Sequence, residues 1–536
     1  MSGSGPHERH GVGAVAAPDV PPWRDRAVVA LVYAVAWGAL LVNRGLYWDD
    51  WTLVGLSADQ LTAAFAELGL PWLGPVYAVL MATPLPGLFG HAIIFAAYLT
   101  STLLFHSILC AIPGVRRMDA LVAAATFAVL PVNYARVALI DLTYALSLAA
   151  FLAATWLLVR FVAHGSVVAR VGALVLFLYS FTTASLLVLY VVPLLAYAAV
   201  VKRTTGMSLA RIAFRHADFL VLPVAFWALR SVFLVPRGLY EGYNTLSLAG
   251  IVNVPRLMLD IPGQVIVDPL VRAADAAGLV GLAAGIALGG WLLWRARADE
   301  ERDGVPTLAL ALAGVVVLGL GVFAYLAVGR IPTLEDWSSR HQLLVPLGVG
   351  LLAAAVSRGV GAAGPPGRAI GVLAVGVVLG MSAVADARTL LAYQADWFKQ
   401  VALIEWARDL PDLRAARHIQ VIDEARSLDA LRRTYRFYEY NALLSVALGD
   451  TTRLASRAGN EPSEERLPGF IARPGYHMGG YVPSPVDAEL RITKGDLTPR
   501  TVDLLRLVVA EATASASFEA EVKRLIEVRL TPLTGG

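Results

Sequence analysis

Charge is what this chain has least of. Of its 536 residues, 16% are charged and 57% hydrophobic, where a soluble chain carries roughly a quarter charged residues. The deficit falls in repeated long apolar blocks, with a mean hydropathy of +0.63. That pattern excludes an ordinary soluble enzyme and marks a polytopic membrane protein. Lysine is scarce too. Lys202, Lys399, Lys494 and Lys523 are the four present, so arginine supplies nearly all positive charge and a lone arginine says little about phosphate. The single cysteine, Cys110, excludes intrachain disulfides. There is no P-loop, no dinucleotide fingerprint and no HExxH or CxxC spacing, so no nucleotide or zinc site of those kinds is expected. A divalent cation on paired acids stays open. No repeat of fixed period occurs. The net charge of +3 says little about partners, and no nucleic acid is expected among them.

What is present is a series of apolar runs near 27–43, 91–111, 118–132, 142–162, 167–182, 184–201, 217–235, 277–294, 306–328, 342–357 and 369–385. Each is near the length that crosses a bilayer. Arginines and lysines cluster at alternate ends of successive runs: Arg24/Arg26, Arg116/Arg117, Arg170, Lys202/Arg203/Arg211/Arg215, Arg295/Arg297/Arg302 and Arg358/Arg368. The positive-inside rule then predicts about eleven transmembrane helices with a cytoplasmic N-terminus. Residues 1–26 read as a disordered cytoplasmic tail, followed by a retained first helix rather than a cleaved signal peptide. Residues 27–386 form the membrane module. Residues 387–536 form an extracytoplasmic α+β domain, with a strand at "HIQVID", helical spacing over 427–449, and a strand or helix at "TVDLLRLVVAEATAS". The fold class expected is thus an all-α polytopic membrane protein of the inner (plasma) membrane with a small C-terminal α+β domain. Residues 71–90, with four prolines, read as a surface or re-entrant element.

The acidic and aromatic punctuation lies on the predicted outer face, chiefly in the first outer loop, 44–90. In "NRGLYWDDWTLVG" two adjacent carboxylates, Asp49 and Asp50, follow the first apolar run. Their mutual repulsion raises one pKa unless a cation or proton donor is near. Tyr47, Trp48 and Trp51 offer stacking surface for a sugar ring, or simply anchor the interface. Asp141 opens the fourth run, where the helix dipole favours it, and Arg136 could pair with it. Arg340 and His341 stand at the mouth of the tenth run; arginine presents a planar donor fork suited to phosphate oxygens, or pairs with Glu335 or Asp336. Arg230 lies six residues before Pro236, roughly 9 Å into a helix, where it needs a partner, a hydrated cavity or a path to the surface. Carboxylates facing cations at one membrane face suit a polyprenyl-phosphate-linked sugar donor, its phosphate on arginine and histidine and its tail in the lipid bilayer. A first-loop carboxylate would deprotonate the acceptor hydroxyl of a glycan, lipid or protein.

The chain resembles integral-membrane glycosyltransferases of the GT-C fold. Within that fold it is most similar to bacterial relatives of the transmembrane tetratricopeptide O-mannosyltransferases and the protein mannosyltransferases. The resemblance rests on "YWDDWTL", "LFGHAIIFAAYLTSTLLFHSIL" with His106 on the family histidine, "ATFAVLPVNYARVALI" and "SSRHQLLVPLGVGLL", across roughly residues 45–360. It implies a hexosyl- or pentosyltransferase with a first-loop acid as base, here Asp50 in slight preference to Asp49, and a carrier phosphate at Arg340. Asn133 stands where the family has histidine, His341 where it has tyrosine, and the tetratricopeptide repeats are missing. Two rivals remain, a transporter of a lipid-linked solute and a non-catalytic envelope scaffold.

Overall fold

The computed structural model describes residues 23–242, 248–296 and 305–533. The expected tail up to residue 22, and Arg297 and Arg302, lie outside the described residues. The chain begins with α1 (Trp23–Trp37), α2 (Ala58–Glu67), α3 (Leu73–Met81), α4 (Pro86–Ala111), α5 (Arg117–Val129), α6 (Leu142–His164) and α7 (Val167–Ser180). It continues through α8 (Ala184–Leu189), α9 (Val191–Thr205), α10 (Leu209–Arg215), α11 (Ala217–Phe233), α12 (Leu248–Pro262), α13 (Asp268–Ala296), α14 (Thr307–Leu326), α15 (Val345–Gly361) and α16 (Pro365–Asp409). Beyond these, α17 (Phe437–Leu448), α18 (Leu467–Ile471), α19 (Thr501–Ala512) and α20 (Phe518–Lys523) alternate with strands β1 (His418–Asp423), β2 (Leu454–Ser456), β3 (Ala488–Lys494) and β4 (Ile526–Pro532).

Among the described residues seven helices are long and apolar enough to cross a membrane, or nine if two bent pairs each count as one span. The protein is therefore membrane-embedded, with fewer qualifying spans than the eleven expected. Two expected runs account for the difference. Residues 118–132 form only the 13-residue α5, and 167–182 the 14-residue α7. At about 1.5 Å per residue each is near 20 Å, short of a ~30 Å hydrocarbon core. Residues 71–90 divide between the short α3 and the first turn of α4, which opens on Pro86.

The basic connections gather at one end of the bundle. Asp25 pairs with Arg295 (3.2 Å), and Asp119 pairs with Arg116 (3.1 Å) and Arg358 (3.4 Å). The opposite end holds the first loop. Small residues let α13 and α16 meet closely, as is usual between membrane helices. A Cβ at Gly380 would lie 2.3 Å from the Gly285 Cα, and one at Gly376 2.2 Å from the Gly289 Cα.

Helix α16 spans 45 residues without a break at residue 387, about 67 Å in all. It overruns the bilayer, and its far half carries the C-terminal region. Lys399 there meets Asp423 (2.7 Å) and Asp429 (2.5 Å), and Trp406 Nε1 donates to the Ile526 carbonyl (2.9 Å). The sheet has strand order β2-β1-β3-β4, with β1 parallel to both neighbours and β3–β4 antiparallel. "HIQVID" is the expected strand, its side chains alternating between buried and half-buried. Helical spacing over 427–449 holds only for α17, because two tight turns precede it. "TVDLLRLVVAEATAS" is helical.

Candidate functional site

The acidic pair sits in a tight 3₁₀ turn, Trp48–Leu53, that begins on a left-handed residue, Trp48 (φ 50°). A bulky residue in that region is strained, and it is held from two sides. Its backbone N–H donates to Glu439 Oε2 (3.1 Å) and its indole to Asp336 Oδ1 (2.6 Å). Glu439 is itself held by Arg433 (2.6 Å), whose guanidinium also meets Asp396 (2.8 Å). The first loop is thus seated on α16 and α17.

The two acids differ sharply. Asp50 is fully buried, and both oxygens accept backbone N–H groups: Oδ2 from Tyr47 (3.0 Å) and Leu139 (2.9 Å), Oδ1 from Ile140 (2.9 Å). Burial pushes its carboxyl up to about 7, against the pull of those three donors. Asp49, next in the turn, is half-buried, and its Oδ1 accepts the Tyr438 hydroxyl (2.6 Å). Burial, followed by the Asp49 carboxylate, holds that hydroxyl well above its ordinary pKa, so Tyr438 stays a donor. Tyr438 packs edge-on against Tyr476 (5.9 Å between centroids), and Tyr476 hydrogen-bonds Tyr240. Asp50 is thus fully buried with both oxygens engaged by backbone N–H groups, whereas Asp49 is half-buried with only Oδ1 engaged by Tyr438.

The three aromatic rings expected as stacking surface are buried. Tyr47, Trp48 and Trp51 are all 2% exposed or less. Tyr47 Oη donates to the Tyr393 carbonyl (2.7 Å), Trp51 Nε1 to Gln400 (2.7 Å), and Trp48 packs on Trp337 (5.4 Å). These rings are structural wedges between the loop and α16. The aromatic surface beside Asp49 comes instead from Tyr438, Tyr476 and Tyr240, which no local signal in the sequence marked.

Arg340, at the end of the turn Asp336–Gln342 that leads into α15, lies over the Trp337 ring (4.3 Å) and donates to the Trp337 carbonyl (2.9 Å). The charges acting most strongly on Asp141 are those of Arg340, Asp50 and Asp49, in that order, so these four groups share one neighbourhood. Arg136 does not pair with Asp141. It lies between the Trp37 (3.8 Å) and Tyr98 (4.4 Å) rings and donates to the Asn133 carbonyl. Next to Arg340 in sequence, His341 Nδ1 and both amide atoms of Gln342 are buried with no hydrogen-bond partner among the described residues, as is Asp141 Oδ1. Native interiors satisfy most such groups, so these orphans need an explanation.

Two expected residues fall elsewhere. His106 is buried at the far end of α4, beside Asp25, Arg26 and Cys110 (Sγ 3.7 Å). The histidine at the site's end is His91, roughly 22 Å away along the helix, bridging the carbonyls of Asn43 (2.8 Å) and Val137 (2.6 Å). Arg230 lies 5.6 Å from the ring of its neighbour Trp227 and, among the described residues, does not pair with the acids. Among the described residues no group of three or more His, Cys, Asp or Glu side chains is set to hold a metal ion. Clefts of about 480 and 370 Å³ lie in the C-terminal region, away from the pair. No protein-family model, curated protein or solved structure matches the chain.

Proposed function

We propose that this chain is a GT-C-like membrane glycosyltransferase of the plasma membrane. It moves a sugar from a polyprenyl-phosphate donor to the hydroxyl of an extracytoplasmic acceptor. The observation that carries the reading is Arg340 and the half-buried Asp49 acting on one buried acid, Asp141, whose Oδ1 has no partner among the described residues. Arg340 and the Gln342 amide supply donors of the kind a phosphate monoanion takes, and the prenyl tail has bilayer beside it. Asp49 is the base. It takes the acceptor proton as the acceptor oxygen attacks the anomeric carbon and the bond to phosphate oxygen breaks. Arg340 stabilises charge on the departing polyprenyl phosphate. A single displacement of this kind inverts the anomeric centre. Asp50 has a different task, tying the turn to residues 139–140 so that Asp49 is presented.

The test uses the full chain in liposomes with a panel of polyprenyl-phosphate hexoses and pentoses and envelope-glycan acceptors, scoring release of polyprenyl phosphate. Turnover with at least one donor is expected, with Arg340→Ala raising the donor KM. Loss of one charge-assisted phosphate contact of about 1.5–3 kcal/mol corresponds to roughly 10- to 150-fold. Flux of an intact lipid-linked solute with no bond cleavage would favour a transporter. Binding of donors without turnover would favour a scaffold.

A further inference from the structure

Helix α19 is apolar on both sides. Leu504 and Leu507 face inward and are buried, whereas Val502, Leu505 and Val509 are 65%, 50% and 61% exposed. Their spacing of three and four residues places them on one outward stripe. A water-facing helix has polar residues there. The position of the helix explains the exception. Glu511, at its end, meets Arg44 through both its carbonyl (3.3 Å) and its carboxylate (3.9 Å), and Trp397 Nε1 donates to it (2.9 Å). Arg44 lies two residues beyond Val42, the last residue of the first candidate span. At the other end, Thr501 and Leu504 line a groove with Arg388, Leu391 and Ala395 of α16, just past the apolar run 369–385. The helix therefore lies at the level where the spans leave the hydrocarbon. Leu41 and Val42, the last residues of the span that ends just before Arg44, are themselves 43% and 47% exposed. Arg500 and Arg506 flank the stripe, each near Asp503 (3.6 and 3.9 Å) yet 87% and 67% exposed, so their outer faces remain open to headgroups.

We infer that α19 is an in-plane interfacial helix whose Val502–Leu505–Val509 stripe is immersed in the same membrane leaflet that borders the acidic pair. It moors the C-terminal region to the lipid surface, independently of what the acids do. In the full chain reconstituted in phosphatidylcholine–phosphatidylglycerol vesicles, Cys110→Ser is combined with single cysteines at 502, 505 or 509 carrying an environment-sensitive fluorophore. A nitroxide on the lipid chain should quench these sites several-fold more strongly than aqueous iodide, and the order should reverse at Arg529→Cys on β4. Stronger quenching by iodide overturns the inference. So does protection from both quenchers, which points to a covering protein or second copy. Should the cysteine variants fold poorly, a lipid-soluble carbene probe applied to the unaltered chain reads the same question. Labelling of residues 501–512 is expected, and an unlabelled segment contradicts the inference.

Discussion

At the scale of single residues, two neighbouring aspartates have opposite fates because of what their oxygens touch. Asp50 is a structural carboxyl. In Asp50→Asn one oxygen becomes an NH₂ that must face backbone N–H donors (Leu139 and Tyr47, or Ile140). The expected cost is about 1–3 kcal/mol, seen as a lower unfolding temperature in detergent. Its titration has a sign as well. The folded carboxyl sits near 7 and the ordinary one near 3.8, so the folded state binds the extra proton between these values. The stability Asp50 contributes is fully present below pH ~4 and is lost as pH rises through ~7; Asp50→Asn should flatten that slope. In the proposed reaction Tyr438 acts through Asp49, whose Oδ1 accepts its hydroxyl. Tyr438→Phe removes the hydroxyl that fixes one Asp49 oxygen and should lower kcat by roughly tenfold, the loss of about 1.4 kcal/mol of orientation, leaving donor KM and folding unchanged. A kcat equal to that of the unaltered chain would remove Tyr438 from the account.

At the scale of elements, the turn Trp48–Leu53 is a wedge between the segment 139–140 and α17, and α13 and α16 approach closely through glycines. Gly380→Leu would drive a side chain into the Gly285 backbone, and overpacking of this kind costs typically 1–3 kcal/mol or more. The expected outcome is loss of monodisperse protein on size exclusion, where Gly319→Leu, with nothing near its Cβ, should behave normally. Most of the span pattern was legible because apolar runs announce themselves through composition alone. Residues 118–132 misled because α5 is buried nearly all round by protein, so its apolarity reflects neighbouring helices rather than lipid. The α17 and α19 patterns were only half legible, since a short apolar period fits a strand or a helix equally.

At the scale of the whole molecule, α16 is a mast that joins the bundle to the C-terminal region, and that region holds the first loop. Glu439, Tyr438 and Arg433 reach the first loop from almost 390 positions away in sequence. Neither composition nor spacing signals a partner at that distance, which explains why the acidic pair was legible and its supports were not. The resemblance drew attention to His106, when the fold brings His91 to the site's end of α4. The tryptophans flanking the pair suggested a sugar platform, but their hydrogen bonds hold them inside. Removing residues 411–536 should therefore unseat the first loop, making the 43–57 segment sensitive to limited proteolysis in membranes where the intact chain resists.

The most direct measurement compares the transfer rates of Asp49→Asn and Asp50→Asn, each normalised to folded protein, in vesicles supplied with donor lipid. A general base contributes ~10²–10⁴ in rate. Asp49→Asn should thus fold normally and lose at least about a hundredfold in kcat, while correctly folded Asp50→Asn keeps most of its turnover. An Asp49→Asn chain that transfers sugar at the unaltered rate would contradict the account.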